Sequence, residues 1–166
     1  DEVFYFAMEL VDGVDLRGHL EENDKKLSTE ETTQIISQVC DALAYAHEKR
    51  VIHRDIKASN VLVSTAGHLK VCDFGSAKVF DAVEEHGRAF TLVGTPHAMA
   101  PEMVASGGDR AGDGYDRAVD WWSAGCLLLE MVTGEPVFAR EESFPNGDDV
   151  NAARIALVGS DCIDSW

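Results

Sequence analysis

The stretch His53-Arg54-Asp55-Ile56-Lys57-Ala58-Ser59-Asn60 decides how this chain is read. It puts a carboxylate, an ammonium and a carboxamide on one short segment between two β-type runs, Val51-Ile52 and Val61-Leu62-Val63. Leu69-Lys70-Val71-Cys72 is a third such run, and polar turns that include Ala66-Gly67 separate them, so residues 51–80 are predicted to form small hairpins. Asp73-Phe74-Gly75 begins thirteen residues after Asn60, and Ala100-Pro101-Glu102 follows farther along.

Towards the amino end, Ser28 with Glu31 three residues later makes a capping box. Ile35, Val39, Leu43 and Ala46 then recur at helical spacing, which predicts an amphipathic helix over Thr29–Glu48. A short helix is expected over Asp15–Glu22, and Val3–Leu10 reads as a buried strand ending at the Asp12-Gly13 turn signal. Towards the carboxyl end, residues 81–99 and the glycine and aspartate cluster Gly107–Gly114 read as exposed loops. The almost wholly apolar run Val119–Val132 predicts a buried central helix, ended by Gly134 and Pro136. A polar connection over 140–152 and a last helix at Val150–Leu157 complete the expected order.

A chain of 166 residues builds one sizeable core, hence one domain or one large lobe of a two-lobed domain. Its 45% hydrophobic and 27% charged residues are those of an ordinary globular protein. Thirty acidic against fourteen basic residues give a formal charge of -16, which opposes a general affinity for nucleic acid or anionic membrane. Basic protein partners fit that charge, as does a plain solubilising role. Cys40, Cys72, Cys126 and Cys162 form no C-x-x-C pair, so no zinc site or disulfide framework is predicted, and a reducing compartment is the expectation. No apolar run is long enough to span a bilayer, and residues 1–20 have no signal-peptide pattern. A first residue Asp1 rather than Met points to a fragment, with any upstream targeting signal out of view.

The string from His53 to Asn60 matches H-R-D-x-x-x-x-N, and with Asp73-Phe74-Gly75 and Ala100-Pro101-Glu102 in that order the chain resembles eukaryotic-type serine/threonine protein kinases. The resemblance runs from a hinge-like Met8-Glu9-Leu10 to Asp120-Trp121-Trp122-Ser123-Ala124-Gly125 and fades beyond about Phe138. It implies a mainly α protein-kinase-like fold with short β-hairpins. Residues 1–12 would be the last N-terminal-lobe strand and hinge, and 13–166 a C-terminal lobe cut short at its end, with the rest of the N-terminal lobe absent.

The same resemblance assigns roles. Phosphoryl transfer asks a protein mainly to position groups and neutralise phosphate charge. Asp55 would accept a hydrogen bond from the substrate hydroxyl and take its proton late, and Lys57 would aim a point charge at the transferred phosphate. Asp73 would hold a magnesium ion bridging the ATP phosphates, and Asn60 a second one. Thr95, in Gly94-Thr95-Pro96, would bond Asp55 or Lys57. Met8 would be the gatekeeper, the backbone of Glu9, Leu10 and Val11 would meet adenine, and Leu62 would pack beneath it, while Ser59 adjoins the nucleotide site. Asp15 would accept from a ribose hydroxyl, or could equally begin a helix. His53 would brace the loop beneath Phe74. Arg54 would pair with a phosphate placed on Thr91 by an upstream kinase. Glu102 would pair with a distant arginine, and Asp120 would clamp the catalytic-loop backbone. Cys72 could face the nucleotide, a buried and inert thiol being the plainer expectation.

Neither a G-x-G-x-x-G loop nor a V-A-I-K lysine occurs, so the segment alone is expected to be feeble, and phosphate transfer from ATP to protein serines and threonines belongs to the intact parent. A pseudokinase acting as a scaffold and a small-molecule phosphotransferase are the alternatives. The Gly94-Thr95 and Ala100-Pro101-Glu102 segment, suited to seating a peptide, weighs against the second. Met99-Ala100-Pro101-Glu102 resembles kinases high in mitogen-activated cascades, whereas Val119-Asp120-Trp121-Trp122-Ser123 resembles the nucleotide- and lipid-regulated group. Ser59, His97, Ala98 and the glycine-rich stretch after Glu102 depart from the commoner pattern and blur peptide preference. The expected location is cytoplasmic, with the nucleus also open.

Overall fold

A computed structural model describes residue 5 and residues 7–80, 87–106 and 114–138. Strand β1 (Gly13–Asp15) leads into helix α1 (Leu16–Glu22), followed by α2 (Thr29–Glu48) and the short strand β2 (Val51–Ile52). Then come β3 (Val61–Ser64), β4 (Leu69–Val71) and β5 (Lys78–Val79), before helices α3 (Pro101–Ala105) and α4 (Ala118–Thr133). Short 3₁₀ turns lie at Ala58–Asn60, Phe74–Ser76 and Pro96–Ala98.

Helix α2 has the expected bounds because its ends are specified locally. The Ser28 side chain accepts a hydrogen bond from the Glu31 backbone N–H at 3.2 Å, which satisfies one of the orphan donors of the first turn. The Glu31 carboxylate turns to His19 at 2.7 Å instead of completing the box. Ile35, Val39 and Leu43 are buried as their spacing predicts and pack with Leu16, Leu127 and Met131. Each such side chain contributes about 1.5–3 kcal/mol by leaving water. A second cluster joins Ile52, Phe80, Met99, Met103, Tyr115 and Val119 around the base of α4.

Helix α4 is buried along one face only, where its apolar run predicted a buried helix. Val119, Ala124, Leu127 and Met131 face inward, while Leu129 and Val132 are exposed at 47% and 51%. The physical reason is one-sided packing: α2 and the turn at Pro96–Ala98 cover only one face. Gly134 ends the helix in the left-handed region at φ 86°, its N–H bonded to the Glu130 carbonyl at 2.8 Å.

The predicted hairpin forms between β3 and β4, with Val61 opposite Val71 and Val63 opposite Leu69. Two strands were missed. Gly13–Asp15, where Asp12-Gly13 was read as a turn and Asp15 as the start of a helix, is β1 and pairs antiparallel with β3, Asp15 lying opposite Leu62. A Cβ on Gly13 would sit 2.0 Å from the Val63 carbonyl oxygen, so the turn-like glycine is there for a close backbone approach. Val51–Ile52 pairs with Lys78–Val79 far along the chain rather than within a local hairpin.

Tyr5 and Ala7–Leu10 form no strand, contrary to the buried strand expected over Val3–Leu10, whose other positions lie outside the described residues. Met8 and Leu10 are exposed at 86% and 94%, because no described strand supplies a ladder beside them. The loop expectations also need correction. Ala89 and Gly114 are buried, because Ala89 and Tyr115 exchange backbone hydrogen bonds of 2.8 and 2.9 Å across two segments read as exposed. Residues 81–86 and 107–113, the connection over 140–152 and the helix expected at Val150–Leu157 lie outside the described residues. No helix among the described residues is long and apolar enough to cross a membrane.

Candidate active site

The segment 53–60 emerges from β2 and enters β3, and its shape is set from below by α4. Asp120 is fully buried; one carboxylate oxygen accepts the His53 backbone N–H at 2.9 Å and the other the Arg54 N–H at 2.8 Å. The clamp expected of Asp120 is present. His47 Nε2 also lies 2.8 Å from that carboxylate, and the His47 ring meets Trp121 edge-on at 5.4 Å. His47 was missed, although its place one helical turn after Leu43 on the buried face of α2 was the available signal.

His53 is fully buried and braces the loop as expected. The Asp55 backbone N–H donates to His53 Nδ1 at 3.3 Å, so Nδ1 is the unprotonated nitrogen and Nε2–H donates to the Cys72 carbonyl at 2.9 Å. Phe74 packs on the same ring with centroids 4.7 Å apart. The Cys72 backbone N–H in turn donates to the Asn60 carbonyl at 2.9 Å, which seats Asp73 next to the loop.

Four side chains converge above this base. Thr95 Oγ1 donates to one Asp55 oxygen at 2.6 Å, and Lys57 Nζ donates to the other at 2.8 Å and to Thr95 Oγ1 at 2.8 Å. Asn60 Nδ2 donates to the Asp55 backbone carbonyl at 2.8 Å and to its carboxylate at 3.1 Å. Burial pushes the Asp55 carboxyl up, but the hydrogen bonds from Lys57 and Thr95, the Lys57 charge and the Asn60 amide outweigh it and hold the group below the usual carboxylate range. The site therefore presents an ionised carboxylate beside an ammonium. Gly94 allows this approach: at φ 108° it lies against the Arg54 carbonyl, where a Cβ would stand at 2.5 Å.

Asp73 is exposed and occupies the left-handed region at φ 60°, one carboxylate oxygen accepting from the Gly75 N–H at 3.2 Å. Burial, then the charges of Asp73 and Asp15, push the Cys72 thiol up, so it stays protonated and is a poor nucleophile. Asp15 caps α1, its side chain accepting the Gly18 N–H at 2.9 Å, and lies across from Leu62 in the sheet. Ser59 is exposed, Val11 half-buried, and Glu9 pairs with Lys70 at 2.5 Å. Met8, Glu9 and Leu10 are thus outside the group of side chains brought together around Asp55.

Arg54 is engaged by main-chain carbonyls and a phenol. Its guanidinium donates to the Ser76 carbonyl at 2.6 Å, the Ala77 carbonyl at 3.4 Å and the Tyr115 hydroxyl at 3.0 Å. Thr91 is exposed. Glu102 forms no ion pair among the described residues.

A protein kinase domain model matches residues 1–160. This chain belongs to the protein kinase family. The kinase chain is 35% identical over 150 residues to the serine/threonine-protein kinase SKM1 of Saccharomyces cerevisiae, covering 86% of this chain and 22% of that protein. It is 35% identical over 157 residues to the cAMP-dependent protein kinase catalytic subunit of Dictyostelium discoideum, covering 95% and 22%. To the serine/threonine-protein kinase AtPK1/AtPK6 of Arabidopsis thaliana it is 45% identical over 102 residues, covering 61% and 20%. The kinase chain thus spans about a fifth of the length of these curated relatives. The serine/threonine type of the family is the one that the motifs resembled, and the fold is protein-kinase-like.

Proposed function

We propose that the protein carrying this kinase chain transfers the γ-phosphate of ATP to serine and threonine hydroxyls of protein substrates. In that reading residues 13–166 belong to the C-terminal lobe and residues 1–12 to the hinge and last strand of the N-terminal lobe. The observation that carries it is the Asp55 carboxylate, ionised and held by Lys57, Thr95 and Asn60.

Asp55 would accept the hydrogen bond of the incoming hydroxyl and receive its proton as the oxygen–phosphorus bond forms and the bond from phosphorus to the bridging oxygen breaks. Lys57, already 2.8 Å from both Asp55 and Thr95, would offset the charge of the transferred group. Asp73 and Asn60 fit magnesium, being oxygen donors of the hard type. Asn60 spends its amide N–H groups on Asp55, and its amide oxygen accepts none of the hydrogen bonds among the described residues. Bound magnesium neutralises phosphate charge. No cluster of three acidic, histidine or cysteine ligands occurs among the described residues, so phosphate and water oxygens would complete the shell. Val11, Asp15, Ser59 and Leu62, with Met8, Glu9 and Leu10, are proposed to line the nucleotide site, and Thr91 to accept a phosphate from an upstream kinase.

The test is phosphate transfer from ATP to a serine/threonine peptide library by the complete protein and its Asp73→Ala variant. Activity that disappears with Asp73 supports the reading; equal activity in both sinks it. Thr91→Ala should lower activity severalfold, and an unchanged rate would remove the regulatory part alone.

A further inference from the structure

Tyr115 lies at the junction of three segments distant in sequence. It is buried with only 1% of its surface exposed, yet its hydroxyl is fully used, donating to the Thr91 carbonyl at 2.5 Å and accepting from the Arg54 guanidinium at 3.0 Å. Its main chain exchanges both backbone hydrogen bonds with Ala89. Gly114, at φ 69°, lets the Phe90 ring lie where a Cβ would stand within 2.9 Å, and the Gly114 carbonyl accepts from Arg88 at 3.2 Å. The stretch 88–91 is therefore fastened to residues 114–115 at several points, only one of which reaches the catalytic loop.

That one point is the phenol. Arg54 directly precedes Asp55, and its N–H is held by Asp120 at 2.8 Å while its guanidinium reaches Ser76, Ala77 and Tyr115. A charge-assisted donor bonded to a hydroxyl polarises that hydroxyl and strengthens its onward bond to a carbonyl. We infer that Tyr115 is a positioning residue that links the catalytic loop at Arg54 to the main chain at Thr91, fixing the segment that leads to Thr95 without a phosphate on Thr91. The inference rests on the proposed phosphotransfer for its kinetic consequence, but not for its structural one.

A neutral hydroxyl thus fills the place between Arg54 and the Thr91 main chain, and a phosphate on Thr91 would add to an existing link. Tyr115→Phe keeps the ring in its apolar cluster with Met103 and Val119 and removes only the relay.

The experiment is amide hydrogen exchange on the complete protein, dephosphorylated at Thr91 and verified by intact mass, with and without Tyr115→Phe. Peptides covering 88–92 should exchange roughly tenfold faster in the variant, which loses both the bond from Arg54 and the bond to the Thr91 carbonyl, while those from α2 and α4 keep their wild-type rates. Alongside, kcat for peptide phosphorylation should fall with KM for ATP unchanged. Unaltered exchange over 88–92 in a variant with intact α2 and α4 overturns the inference. Should Tyr115→Phe loosen α4 as well, Arg54→Lys decides: it keeps the charge but loses the fork of donors, and the same selective acceleration over 88–92 is expected. No acceleration there overturns the inference equally. A wild type without phosphotransfer counts against the proposed function, and the exchange comparison still settles the link.

Discussion

The His47 ring nitrogen lies 2.8 Å from the Asp120 carboxylate, which at the same time accepts the main-chain N–H groups of His53 and Arg54. One buried carboxylate on α4 therefore joins α2 to the loop that carries Asp55. Asp120→Ala would leave these buried donors unpaired, at about 1–3 kcal/mol each. The complete protein is expected to lose several kcal/mol in urea unfolding and most of the proposed phosphotransfer. His47→Ala should lower stability by a smaller amount, with the two effects less than additive in a double-mutant cycle.

Thr95→Val keeps the shape of the side chain and removes the hydroxyl that reaches both Asp55 at 2.6 Å and Lys57 at 2.8 Å. Peptide phosphorylation should fall by about tenfold or more in kcat, as expected for losing a group that orients the proposed general base. Thr95→Ser, which retains the hydroxyl, should recover most of the rate. Equal rates in the valine and serine variants would show that the hydroxyl is idle.

The depressed Asp55 carboxyl makes a pH-dependent prediction for stability. Burial alone would raise it, but the bonds from Lys57 and Thr95 prevail, so the folded state binds the proton more weakly than the unfolded one. Its stabilisation is present above the unfolded value of about 3.9 and is lost as pH falls through the lower folded value. Asp55→Asn should therefore cost stability at neutral pH, and the gap to wild type should narrow only below about pH 4. Urea titrations across that range check the sign.

Gly13→Ala tests the missed strand. Its Cβ would meet the Val63 carbonyl oxygen at 2.0 Å, and backbone cannot swing aside as a side chain can. A loss of about 1–3 kcal/mol is expected, with increased exchange in β3.

Much of this was legible locally. Ser28, Glu31 and the period of Ile35, Val39 and Leu43 specified α2, since capping and one buried face act within a few turns. Asp55, Lys57, Asn60 and Asp73 stood out by their place in motifs that resemble the family's, and the fold brings Lys57 and Asn60, with Thr95, to the Asp55 carboxylate. What escaped depends on distant partners. Gly13 looks like any turn glycine until Val63 lies against it, and Tyr115 has no pattern around it that foretells Arg54 or Thr91. The apolar run of α4 did not reveal which face would be left uncovered, because periodicity is weak when nearly every residue is apolar.

At positions 53 and 54 Asp120 grips amide hydrogens and not side chains, so its hold on the loop does not read which side chains stand there. An exchange at 54 can alter what the loop presents to Ser76, Ala77 and Tyr115 while leaving this main-chain anchorage in place. Proline at either position is the exception, because it has no amide hydrogen to offer.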